Sequence, residues 1–120
     1  MYVKFATLPV DDADRAIAFY TGKLRLTLTT DAAMDGGGRW IELGMPEGNT
    51  SLLVEPGDPE RNRGRPALVL VVPDVDAAYE RLDTLGVEFP TQPVQAPWQP
   101  ESRYAIFRDS EANLVLITDA

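Results

Sequence analysis

Residues 5–20, FATLPVDDADRAIAFY, return 62 positions later as residues 67–82, ALVLVVPDVDAAYERL. Val10 meets Val72, Asp12 meets Asp74, Asp14 meets Asp76 and Ala16 meets Ala78. Each copy describes the same unit: a short apolar strand, an aspartate able to cap the first amides of a helix, then apolar residues at helical spacing. In the first helix these are Ala13, Ala16, Ile17, Tyr20 and Leu24; in the second they are Val75, Ala78, Tyr79, Leu82 and Leu85. Asp12 and Asp74 are assigned to capping, so the Asp11–Asp12 pair is no catalytic dyad. The helices close at KLRL and TLGV. There Gly86 offers a left-handed exit, and Arg25 holds the same place with some strain or a different exit.

Three strands are expected after each helix, at about 26–31, 38–44 and 50–55 and then at about 87–92, 102–108 and 113–118. DGGG, MPEGN, DSEA and the Pro-rich PTQPVQAPWQPE are read as the connections between them. In DSEAN the left-handed conformation is expected on Asn113, which tolerates it better than Ala112. The glycines of DGGGRW precede a strand rather than a helix and no Lys-Ser/Thr follows, which excludes a phosphate loop. The pattern is βαβββ twice, an α+β fold. One domain, 1–120, is expected from module 1 (1–57) and module 2 (65–120), with PGDPERNRGRP, residues 56–66, as linker. Modules below about 60 residues are marginal alone, so a shared core is expected.

ALVLVV is apolar without interruption, as a strand covered on both faces would be. Alternation turns Leu68, Leu70 and Val72 toward the helices and Ala67, Val69 and Val71 to the other, concave side. The repeat places Phe5, Thr7 and Pro9 on the matching side. Two curled mixed sheets would then surround a concave cavity suited to a ligand.

Composition narrows the chemistry. A formal charge of −8 repels phosphate backbones and anionic lipid, so nucleic acid and membrane surfaces are poor partners and a cationic or neutral small molecule fits better. No apolar run approaches the roughly 20 residues that span a bilayer, and MYVKFATLPV alternates too soon for a signal segment; a cytoplasmic protein is expected. The chain has no cysteine and no histidine. That removes disulfides, thiolate nucleophiles, Cys-based zinc sites, Ser-His-Asp arrangements and imidazole ligands. Carboxylate, hydroxyl, Lys, Arg and Tyr chemistry remains.

Paired βαβββ modules, with LPVDDADRAIAFYTGKLRL opening the first, VPDVDAAYERLDTLGVEF opening the second and YAIFRDSEANLVLI closing the chain, resemble the vicinal oxygen chelate superfamily. This group contains glyoxalase I, extradiol dioxygenases, fosfomycin-resistance enzymes and the bleomycin resistance protein. The resemblance implies the glyoxalase/bleomycin resistance fold and, in catalytic members, a divalent metal that chelates two neighbouring substrate oxygens. By the same resemblance its ligand positions fall on Phe5, Leu53, Ala67 and Leu116. All four are apolar, and a divalent ion needs oxygen, nitrogen or sulfur donors. No metal and no other cofactor is therefore expected; the alternative is an all-oxygen site that draws Glu42 or Glu55 inward.

Trp40 and Trp98 either fill the core and pin a loop, or form flat walls for a planar or cationic ligand. Phe5 either stacks with them or plugs the space a metal would have taken. Arg39 and Arg103 occupy corresponding places before Trp40 and Tyr104; each clamps a carboxylate if it points inward, and solvent is the alternative. Tyr104 is either a phenolic donor or packing, and Glu42 either lies near the cavity or is solvated. The ligand-binding candidates are thus Trp40, Trp98, Tyr104, Arg103, Phe5 and Glu42.

The resulting expectation is a metal-free small-molecule-binding protein on the bleomycin resistance side of the superfamily, sequestering an antibiotic or other basic or planar ligand. The resemblance also implies a homodimer. Two alternatives stay open. One is a glyoxalase- or dioxygenase-like enzyme with a carboxylate-based or metal-free site, using a carboxylate or Tyr104 for proton transfer. The other is a degenerate module serving regulation or assembly.

Overall fold

The computed structural model describes residues 1–62 and 64–120. The chain divides into two compact units, Met1–Arg61 and Asn62–Ala120, and each carries one four-stranded mixed sheet and one α-helix. Within the stretch read as a linker, a 3-10 turn occupies Pro59–Asn62; Arg63 lies outside the described residues.

The first unit runs β1 (Phe5–Val10), α1 (Ala13–Gly22), β2 (Thr27–Ala33), β3 (Arg39–Gly44) and β4 (Ser51–Pro56). Its sheet has the order β1-β4-β3-β2, with β1 parallel to β4 and the other pairs antiparallel. The helix begins where the sequence places it, because the Asp12 carboxylate accepts the Arg15 N–H at 3.1 Å. Ala16, Phe19 and Tyr20 are its buried residues, and it packs on β2, β3 and β4. From the sheet, Leu8, Val10, Ile41, Leu43, Leu52 and Val54 are buried in the same layer. A Leu, Ile or Val so enclosed contributes about 1.5–3 kcal/mol. Phe19 joins this layer although the helical spacing alone did not select it.

Arg25 leaves α1 with φ of 62° and Gly86 leaves the second helix with φ of 86°. Both exits thus turn through a left-handed residue, closed by the Leu26 N–H on the Tyr20 carbonyl and by the Val87 N–H on the Leu82 carbonyl, both 3.0 Å, with the first reaching one residue further back along its helix. Arg25 takes that conformation without glycine's freedom. Gly57 is needed for a different reason: a Cβ there would come within 2.8 Å of the Pro9 Cβ.

The second unit runs β5 (Leu68–Val71), α2 (Val75–Thr84), β6 (Thr91–Ala96), β7 (Gln99–Arg108) and β8 (Leu114–Thr118), with the sheet order β5-β8-β7-β6. Asp74 caps α2 by accepting the Ala77 N–H at 3.1 Å. Val75 and Leu82 are the buried residues of α2, which packs on β6 and β7; Leu85, expected on the inner face, is exposed. Tyr79 meets Phe89 edge-on at 4.8 Å and Phe89 meets Phe107 at 5.6 Å, so an aromatic chain ties helix to sheet.

Two local expectations are corrected. The strand expected at 87–92 is β6, Thr91–Ala96, and the Pro-rich stretch read as a connection is largely the β6–β7 hairpin, turning at Pro97 and Trp98. β6 is an edge strand whose register slips between Thr91 and Val94. Edges and bulges are where a strand admits a residue such as Pro93, which has no N–H. The second correction concerns DSEAN: the left-handed residue is Ala112, φ 65°, and not Asn113. Asp109 imposes this. Its Oδ1 accepts the Glu111 and Asn113 N–H groups, both at 2.8 Å, and its Oδ2 accepts the Asn113 amide at 3.0 Å, so Asn113 is fixed at the entrance to β8 and the reversal falls one residue earlier. Among the described residues no helix is long and apolar enough to cross a membrane.

Candidate functional site

Strand register sorts the candidates by face. In the first sheet Thr7 pairs with Leu53, Leu53 with Glu42 and Glu42 with Thr30. Phe5 and Trp40, two residues along their strands from members of this row, share its face. The other face carries Leu8, Ile41, Leu52 and Val54, buried in the layer that α1 covers. The Phe5–Trp40–Glu42 face is therefore the one turned away from the helix.

Three of the sequence candidates meet there. The indole N–H of Trp40 donates to Glu42 Oε2 at 2.7 Å. The Phe5 ring stands edge-on to Trp40, 6.0 Å between centroids at 79°, a favoured aromatic geometry. Trp40 keeps 38% of its surface exposed, and Phe5 and Glu42 are half-buried. The Lys4 ammonium sits over the Phe5 ring, 5.5 Å from its centre. The group thus offers an exposed indole, an aromatic edge and a carboxylate anchored at one oxygen. It can hold a flat ring and a hydrogen-bond donor.

In the second sheet Val71, Thr118, Tyr104 and Val94 form one row and Val69, Leu116, Ile106 and Thr91 the next. Val69 and Val71 are 63% and 66% exposed, as the alternation of ALVLVV requires of the side away from the helix. Trp98, at the hairpin tip and 57% exposed, rests against Tyr104 at 4.8 Å. Trp98 and Tyr104 are thereby brought together beside Val94. The Pro-rich reading of residues 90–101 had hidden Val94, because it treated the strand as a loop.

Arg103 is not part of this group. It alternates to the opposite face, where Nε and Nη2 hold both oxygens of Asp76 on α2 at 2.8 and 2.9 Å. Arg39 does the same in the first unit, with Nη1 on Asp14 of α1 at 2.9 Å and a two-pronged contact to Asp31 at 3.1 and 2.7 Å. Hydrogen bonds raise both guanidinium pKa values above the ordinary range, and the Arg39 bond holds the Asp31 carboxyl below its own, against a smaller desolvation. The signal was present in the sequence. Asp14 and Asp76 coincide under the repeat and the two arginines precede corresponding aromatics, so both members of this helix-to-sheet clamp are duplicated.

The four positions that family resemblance assigns to metal ligands divide between the sheets. Phe5 and Leu53 share the helix-distal face of the first; Ala67, one residue before β5, continues the Val69–Leu116 face of the second. These side chains end in C–H groups. Among the described residues no three acidic side chains gather, and Glu42 and Glu55 gain no third partner. The residues do not fit a divalent ion.

A hollow of about 170 Å³ lies elsewhere in the first unit, lined by Val10, Ala13, Arg39, Ile41, Val54 and neighbouring residues. That is below the roughly 300–1,000 Å³ of small-molecule sites, and its arginine is already held by acids of α1 and β2.

A family model for the Glyoxalase/Bleomycin resistance protein/Dioxygenase superfamily matches residues 3–117. The uncharacterized protein YurT of Bacillus subtilis (strain 168) is 34% identical over 128 residues, spanning 98% of each chain. Of solved structures, UcmS2 superposes with a TM-score of 0.85 at 29% identity, over 100% of this chain and 98% of its own. TnmS3, an antibiotic binding protein from Streptomyces sp. CB03234, superposes with a TM-score of 0.82 at 27% identity, over 99% and 95%.

Proposed function

The chain belongs to the Glyoxalase/Bleomycin resistance protein/Dioxygenase superfamily, and from that premise we propose that it is a metal-free binder of a planar small molecule, sequestering it without chemical change. The observation that carries this reading is the Trp40–Glu42–Phe5 group. An indole that is 38% exposed is oriented by a 2.7 Å hydrogen bond on a sheet face where the superfamily's metal positions offer only hydrocarbon. A preformed aromatic surface spends little conformational entropy on binding. The chain has no histidine to place an imidazole beside it. The Trp98–Tyr104 pair on the second sheet supplies further aromatic surface of the same kind. The likeness to TnmS3, described as an antibiotic binding protein, supports the same reading. An antibiotic is accordingly the leading ligand class, the homodimer implied by family resemblance the leading assembly and the cytoplasm the leading location.

Calorimetric titration with 9-aminoacridine, a planar heteroaromatic, tests this, with tryptophan fluorescence followed in parallel. Saturable binding with quenching, at an affinity that EDTA leaves unchanged, is the expected result. Binding that disappears on chelation, or turnover of the bound compound, contradicts it.

A further inference from the structure

Packing does not account for Glu42. Its side chain is half-buried on the open face of the first sheet, and one oxygen takes the Trp40 indole N–H. No Lys or Arg among the described residues pairs with it: Arg39 is committed to Asp14 and Asp31, and the Lys4 ammonium lies over the Phe5 ring. A glutamine would accept the indole N–H equally well, and a neutral amide loses less on leaving water than a carboxylate. The charge is therefore surplus to the fold. Oε1 has no hydrogen-bond partner among the described residues.

Resting on the reading of this face as the ligand site, we infer that Glu42 selects a positively charged ligand: a planar ring system with a protonated nitrogen on or within it. An N–H of the cation donates to Glu42 Oε1 while the ring lies against Trp40. Two separate effects favour the cation there. A charge-assisted hydrogen bond to a carboxylate is about twice as strong as a neutral one, and an indole face attracts cations electrostatically. Lys4 over Phe5 shows the same preference operating within the chain. The net charge of −8 adds a long-range attraction for any cation, but salt screens it. Contact recognition at Glu42 survives salt better, which separates the two.

The test compares 9-aminoacridine, cationic at neutral pH, with acridine, which has the same ring system and is uncharged there. Each is titrated calorimetrically into the wild-type chain and into Glu42→Gln, at low ionic strength and near 1 M salt, where the screening length is about 3 Å. The wild type is expected to prefer the cation by about tenfold or more even in high salt, and Glu42→Gln is expected to bind the two probes with nearly equal affinity there. A preference that vanishes with salt in the wild type, or one that persists in Glu42→Gln, overturns the inference and leaves the ligand site standing. Failure of both probes to bind the wild type overturns the ligand site and the inference together. Because glutamine keeps the acceptor for Trp40, an unchanged urea midpoint for the variant shows that any loss is one of recognition.

Discussion

Phe107→Ala is expected to destabilise the protein by about 3–5 kcal/mol, read as a large fall in urea midpoint. Phe107 has no exposed surface. Its ring contacts Phe89, which contacts Tyr79 of α2, so truncation opens a cavity and removes the link between helix and sheet together. Each aromatic contact in such a chain adds about 0.5–1.5 kcal/mol beyond the area it buries. Phe107→Leu fills most of the volume and is expected to lose less than half as much. Full retention of stability by Phe107→Leu would show that filled volume alone, and not the aromatic chain, holds α2.

Trp40→Leu is expected to weaken binding of 9-aminoacridine by about 30- to 100-fold, the range for a tryptophan that anchors an interface. Leucine keeps apolar surface at the position but removes the flat ring and the N–H that holds Glu42 Oε2. Stability is expected to change little, because Trp40 sits on the exposed face with 38% of its surface free. Calorimetry of the variant beside a denaturant curve separates the two effects. Weakened folding with unaltered affinity would place Trp40 in the core layer and remove it from the site.

The duplicated architecture was legible in the sequence because its signals are local. Asp12 and Asp74 each cap a helix by reaching only three residues along the chain, and the alternation of Leu68 to Val71 is carried by one strand. The repeat also gave the face of Phe5, but that Trp40 and Glu42 share it is a result of strand register, which the sequence left open. What escaped depends on contacts distant in sequence. Arg103 finds Asp76 across 27 residues, and no local pattern says which face an arginine before an aromatic will take. β6 was misplaced because Pro90 and Pro93 read as loop formers, when an edge position and a slipped register make a proline harmless there. The exception is the left-handed Ala112, a local result set by the three hydrogen bonds that Asp109 accepts from Glu111 and Asn113. Glycine would have been the local choice, and the carboxylate overrides it.

Whether hydrocarbon has replaced the superfamily's metal ligands at Phe5, Leu53, Ala67 and Leu116 is tested most directly by titrating Zn²⁺, Ni²⁺ and Mn²⁺ into the purified, chelator-treated chain by calorimetry. The account predicts no saturable uptake of any of the three up to millimolar concentration. Stoichiometric binding of one ion per chain at micromolar affinity, abolished by Glu42→Gln, would contradict it and return this protein to the metal-dependent enzymes of its superfamily.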